Sequence, residues 1–212
     1  MGADHDYAKA WSAAFKPGWE KLGGTVVAEN PMSYNRATDF YSGVSKALAA
    51  KPDVLFVGGA SEPTALVVKQ ARELGFKGGF LVMDQAKLDE MARVVGGMET
   101  LEGAIGVLPV SADPSPMNKA FIDRFGKKFD SRVPGSEALW NYTAVHATAK
   151  AMQLAGTATD AKAIHAKLDE AYKSLSPEVN PGGVLGVDAN GGTLTKERGG
   201  AVKDGKIEVI ST

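Results

Sequence analysis

Three short stretches carry side chains whose type and spacing suit chemistry. The first is Gly58-Gly59-Ala60-Ser61-Glu62, which joins an apolar run at 54–57 to what reads as a helix start. Ser61 there is placed to cap the helix, with Pro63 tolerated in its first turn. The second is Asp84-Gln85, directly after another apolar run at 80–83. A carboxylate in a partly dry cleft is a natural partner for a cation, and Asp84 would equally serve as a cap for the short helix that follows. The third is Asp4-His5-Asp6-Tyr7. Its Asp-His-Asp trio has metal-binding side chains, but neighbours in one loop seldom converge, so no metal is expected. Tyr7 has a bland reading as a surface ring with its apolar body down and its hydroxyl in water. Residues 200–207, GAVKDGKI, nearly spell a phosphate loop. They fail twice: Ile207 stands where a magnesium-binding Ser or Thr belongs, and the segment reads as a hairpin turn rather than a strand-to-helix loop. With no nucleophile–base pair and no metal cluster, the chain offers no catalytic residues and implies no cofactor.

The elements that must position these residues follow from periodicity. Residues 51–85 read as strand, loop, helix, strand. A crossover this short implies a parallel sheet. Ligands of open parallel sheets bind outside the carboxyl ends of the strands, which is where 58–62 and 84–85 fall. Upstream, a helix begins near Tyr7, capped by Asp4 or Asp6, with Trp11, Phe15, Trp19 and Leu22 as its buried stripe. Pro17-Gly18 should kink or break it. Residues 25–28 read as a strand, and Thr38-Asp39 as the start of a second helix. Downstream come a short helix at 87–95, a strand at 104–110, and helices at 116–129, 136–154 and 160–172. Asn190-Gly191 and Asp204-Gly205 are tight-turn signals of a β-rich tail.

Composition bounds the answer. The 212 residues suffice for one large domain or two small ones. A net charge of -1 argues against a nucleic-acid partner. The absence of cysteine removes disulfides and thiolate chemistry. No run approaches the ~18 apolar residues of a membrane span. The opening MGADHDYAKAW has neither a basic nor an apolar leader region, so it is not a secretory signal.

The ordered set D-x-D-Y, GGTVV, ATDF, KPDVLFVGG, VKQAREL-G, LEGAIGV and WNYTAV resembles the type I periplasmic solute-binding proteins of ABC transporters, in the branched-chain amino-acid (Leu/Ile/Val) group. The likeness runs from Asp4 to Ile210. It implies an α/β fold: an open parallel sheet flanked by helices, two lobes, and ligand trapped between them. On this resemblance residues 1–105 and 184–212 belong to the second lobe, and 106–183 are a mostly helical remnant of the first. The chain would be a fragment lacking most of the first lobe and the strand that should precede Asp4. The ligand-binding residues would be Tyr7 at a cleft tyrosine position, Ala60, Ser61 and Glu62 after the glycine pair, and Asp84 with Gln85. Asp84 matches the acidic residue that pairs with a ligand ammonium. Ala60 departs from the aromatic that members often carry there, which makes the pocket roomier or shifts its specificity. Trp140 and Tyr142 lie near the cleft in the family, yet with Val145 they read as core. The resemblance implies a small solute such as an amino acid, an ABC permease of the inner membrane as partner, and a periplasmic location. A ligand-sensing domain of a receptor or regulator with the same fold is the alternative. Helices carrying Phe121, Phe125, Leu139, Val145, Met152 and Leu168 would face no sheet, so self-association or domain swapping is expected.

Overall fold

A computed structural model describes residues 2–34, 36–196 and 198–211. The chain forms two compact units, residues 1–108 with 198–212, and residues 109–197.

In chain order the first unit contains α1 (Asp6–Lys21), α2 (Tyr41–Leu48), β1 (Val54–Val57), α3 (Ser61–Glu73), β2 (Gly79–Val82), α4 (Leu88–Val95) and β3 (Ala104–Val107). The second contains α5 (Pro116–Lys128), α6 (Ser136–Ala155), α7 (Ala161–His165), α8 (Leu168–Lys173), β4 (Gly186–Val187) and β5 (Thr193–Leu194). The chain then returns to the first unit with β6 (Arg198–Lys203) and β7 (Lys206–Ser211).

The first unit is built on one mixed, mostly parallel sheet in the order β1-β2-β3-β6-β7. β1, β2 and β3 run parallel, and the β6–β7 hairpin is added antiparallel to β3. The hairpin turn is Asp204-Gly205, both at positive φ (51° and 69°), as a two-residue turn between right-twisted strands demands. Glu102 holds it by accepting the N–H groups of both turn residues. The core gathers Leu55, Val57, Phe80, Met83, Leu88 and Met91 with Val67 and Val68 of α3. A fully buried side chain of this size contributes about 1.5–3 kcal/mol. Arg72 ties the amino ends of the strands together: its guanidinium donates to the carbonyls of Phe76 and Gly78 (both 2.9 Å), Thr100 and Glu102, and lies 4.5 Å from the Phe80 ring centre.

Several local expectations are corrected. Helix α1 runs through Pro17 without a break. Trp19 stacks on Phe15, and Phe15 on Phe56 of β1, so aromatic contacts bridge the one backbone bond that proline cannot make. Leu22 is 86% exposed and not part of that stripe. Residues 25–28 form no strand. α2 begins at Tyr41 rather than near Thr38, with Phe40 at the N-cap. The helix expected over 160–172 is two, α7 and α8, separated at Ala166-Lys167. Asn190-Gly191, by contrast, does lie in a hairpin turn, between the antiparallel β4 and β5: the Gly191 N–H donates to the Asp188 carbonyl (3.1 Å), and the Asp188 carboxylate accepts from the N–H groups of Asn190 and Gly192 (both 2.8 Å).

The second unit has two small apolar clusters. One joins Val110, Phe121 and Leu139, and the other Ala147, Tyr172 and Val184. Phe121 and Leu139 therefore pack on each other rather than standing open, whereas Val145 is 68% exposed. Trp140 is exposed too, so it is not plain core; Tyr142 packs on Phe121, with ring centres 5.3 Å apart. Asp169 of α8 accepts the Val187 N–H (3.0 Å), which docks β4 on the helices.

Candidate functional site

The site is assembled where β1 and β2 end. Ala3 donates its N–H to the Gly58 carbonyl (2.7 Å), so the start of α1 is fixed beside the end of β1. His5 is the residue at the N-cap, in place of Asp4 or Asp6; its Nδ1 accepts from the Ala8 N–H (3.3 Å). This fixes the first turn of α1 and brings Tyr7 over the β2 end. The Tyr7 hydroxyl donates to Asp84 Oδ2 at 2.7 Å. That hydrogen bond, together with partial burial and the carboxylate charge, raises the Tyr7 phenol above its ordinary 10.0. Asp84 Oδ1 is shielded from solvent and has no hydrogen-bond partner. Leaving such an acceptor unmatched costs about 1–3 kcal/mol.

The two loops are stitched to each other. Lys87, buried at 9% exposure, donates its N–H to Ser61 Oγ (3.1 Å) and its ammonium to the Asp84 carbonyl. Ser61 Oγ in turn donates to Glu90 Oε2 at 2.7 Å. Ser61 thus joins α3 to α4 instead of capping α3. The cap position belongs to Ala60, which is extended (φ −63°, ψ 160°) and makes no side-chain bond to the helix. Gly58 and Gly59 are demanded by close approach: a Cβ on either would lie 2.3 Å from Met83 Cβ or from the Tyr34 ring. Burial drives the Tyr34 phenol strongly upward, against a hydrogen bond with the Gly58 backbone.

Of the residues named from sequence, Tyr7 and Asp84 meet directly, and Ser61 joins them through Lys87. Ala60 and Gln85 are exposed on the same two loops, and Glu62 is exposed in the first turn of α3. Lys87, Glu90 and Tyr34 were not anticipated. Lys87 and Glu90 sit on the α4 turn after Asp84, a signal that was available, whereas Tyr34 lies in an irregular stretch with no periodicity to mark it. Chemically, a tyrosine hydroxyl and a carboxylate with one spare oxygen form a site for a hydrogen-bond donor, above all a cationic one. Among the described residues no group of three or more His, Cys, Asp or Glu is arranged for a metal ion. None of the helices described is long and apolar enough to cross a membrane.

Comparison with known proteins matches the sequence profile described as periplasmic binding protein to residues 1–197. The chain belongs to the periplasmic binding protein family. This is a family of solute-binding proteins, not of enzymes. The chain is 29% identical over 153 residues to the leucine-, isoleucine-, valine-, threonine- and alanine-binding protein of Pseudomonas aeruginosa, covering 72% of this chain and 39% of that relative. The chain therefore spans well under half of that relative's length. The leucine binding protein LivK of Thermotoga maritima superposes with a TM-score of 0.77 at 26% identity, over 99% of this chain and 59% of its own. The substrate binding protein LivJ of a Streptococcus pneumoniae branched-chain amino acid transporter, solved with isoleucine, gives 0.78 at 23%, over 100% and 59%. The second likeness attests the fold.

Proposed function

We propose that the whole protein is the extracytoplasmic, periplasmic solute-binding component of an ABC importer, and that its solute is a small amino acid held in a cleft between two lobes. Tyr7, Ala60, Ser61, Glu62, Asp84 and Gln85 would line one wall. In this reading residues 1–105 and 184–212 belong to one lobe and 106–183 to helices of the other. The observation that carries it is the Tyr7–Asp84 pair, with its unmatched Oδ1 at the ends of β1 and β2. A ligand ammonium would give that oxygen the charged donor it lacks. Binding would stabilise a closed form that an inner-membrane permease recognises.

Calorimetry on the full-length protein with leucine, isoleucine, valine, threonine and alanine tests this. Binding of at least one, lost on Asp84→Ala, is the expected result. Undiminished binding in that variant would remove Asp84 from the site. The 212-residue chain alone presents one wall, and pockets ordinarily enclose most of a ligand, so it is expected to bind at least about 100-fold more weakly than the full-length protein. The helices of residues 109–197, with Val145 and Trp140 exposed, are expected to drive self-association of the chain on its own.

A further inference from the structure

We infer, on the reading of Asp84 given above, that Lys87 and Ser61 are positioning residues for the solute: they hold Asp84 where it meets a ligand ammonium, and the Ser61 hydroxyl donates nothing to the ligand itself. Asp84 opens a turn rather than lying in a strand or helix. That turn starts from β1, where the Met83 N–H donates to the Val57 carbonyl (2.9 Å), and closes on itself through the Ala86 N–H and the Met83 carbonyl (3.0 Å). Its far side is held through Lys87. The Lys87 ammonium reaches back to the Asp84 carbonyl, and the Lys87 N–H reaches across to Ser61 Oγ at 3.1 Å. Asp84 is therefore gripped from two directions, by Tyr7 at its carboxylate and by Lys87 at its backbone.

The Ser61 hydroxyl has a single proton to give, and it goes to Glu90 Oε2 at 2.7 Å. The same oxygen accepts the Lys87 N–H. The hydroxyl is thus committed between α3 and α4 and has no proton left for a ligand carboxylate. What Ser61 does for the ligand passes through Lys87 to Asp84.

Lys87 is poorly suited to its place on grounds of stability alone. It is the N-cap residue of α4 and makes no side-chain bond to that helix, where Ser, Thr, Asp or Asn would make one. It sets a cation at the positive end of a helix dipole, tempered by Asp89 and Glu90 in the first turn. It is also buried, and burying an ammonium is costly. Asparagine would cap the helix, and methionine would fill the same space without the charge. A residue that breaks several local rules at once, next to a group that meets ligand, marks a position kept for function. What lysine alone supplies is a long charged donor for the Asp84 carbonyl, which fixes the residue from which the carboxylate springs.

The test compares Ser61→Ala, Ser61→Thr and Lys87→Met in the full-length protein. Three quantities are read: amino-acid affinity by calorimetry, Tm, and titration of the Tyr7 phenol followed by NMR of its Cζ carbon, with Tyr7→Phe to assign the signal. Ser61→Ala is expected to weaken binding at least about tenfold and to bring the Tyr7 phenol down toward 10.0, because the bond to Asp84 is the largest cause of its elevation. Ser61→Thr keeps a hydroxyl and should restore both. A Tyr7 that titrates in Ser61→Ala as it does in the parent would overturn the positioning role, and lost affinity alongside it would make Ser61 a direct ligand contact. Lys87→Met is expected to lose affinity on the same scale with Tm unchanged or raised; a lowered Tm would make Lys87 a structural tie and overturn its part. The Tyr7 titration needs no ligand, so the positioning role stands or falls by it even if no amino acid binds.

Discussion

Asp84 has one oxygen matched by Tyr7 and one unmatched, so substitutions at the pair should separate charge from geometry. In the full-length protein Asp84→Asn keeps the shape and an acceptor but loses the charge. It is expected to weaken amino-acid binding by about 2–5 kcal/mol, the scale for truncating one partner of a desolvated charge pair. Tyr7→Phe removes only the hydroxyl, and a loss nearer 1 kcal/mol is expected. Calorimetry on the two variants checks the order, and a Tyr7→Phe loss exceeding that of Asp84→Asn would contradict it. The sequence made each residue's neighbourhood readable, since both follow from where apolar runs end. It did not show that two side chains 77 positions apart would share a hydrogen bond. That depends on the His5 cap and the Ala3–Gly58 bond, neither of which has a sequence signature. Ser61 is the opposite case: its pattern spelled a helix cap, but Glu90 and Lys87, brought in by tertiary packing, engage the hydroxyl instead.

Elements depend on a few joints. Arg72 leaves α3 and satisfies four carbonyls at the amino ends of β2 and β3 while covering the Phe80 ring. Arg72→Ala should destabilise the fold by ~2–4 kcal/mol in urea titration, because orphaned carbonyls add to the lost packing. Arg72→Lys, a point charge without the planar fork, should recover little of it. Gly58→Ala forces a methyl into Met83, and a cost of about 1–3 kcal/mol is expected. The helices and β1, β2 and β3 were readable because their apolar periods are intact. Residues 25–28 were misread because a strand is defined by its neighbour, and a single sequence carries propensity but not pairing. Pro17 was misread for a related reason, since the aromatic stack that spans it reaches across to Phe56 of β1.

At the scale of the molecule, burial and carboxylate contacts set a basic limit to stability. Tyr7, Tyr34, Tyr41 and Tyr172 are all raised above 10.0. Each holds its proton more tightly folded than unfolded. Their contribution is therefore complete below pH 10 and is lost as pH climbs through the folded-state values. Urea midpoints should fall between pH 9 and pH 11, and Tyr34→Phe should lessen that fall; a midpoint that rises would reverse the assignment. Gel filtration of the chain should show oligomers that Val145→Asp diminishes, and a clean monomer would refute the association.

The path of the chain between the two units has a consequence for surgery on the gene. β3 and β6 are hydrogen-bonded neighbours, and the Leu108 N–H donates to the Arg198 carbonyl at 3.1 Å. The chain leaves the first unit and re-enters it at positions that already face each other as the mouth of a hairpin does. Residues 109–197 are thus a graft on a closed stem, and joining Leu108 to Arg198 through Asn-Gly would leave every strand pairing of the five-stranded sheet in place.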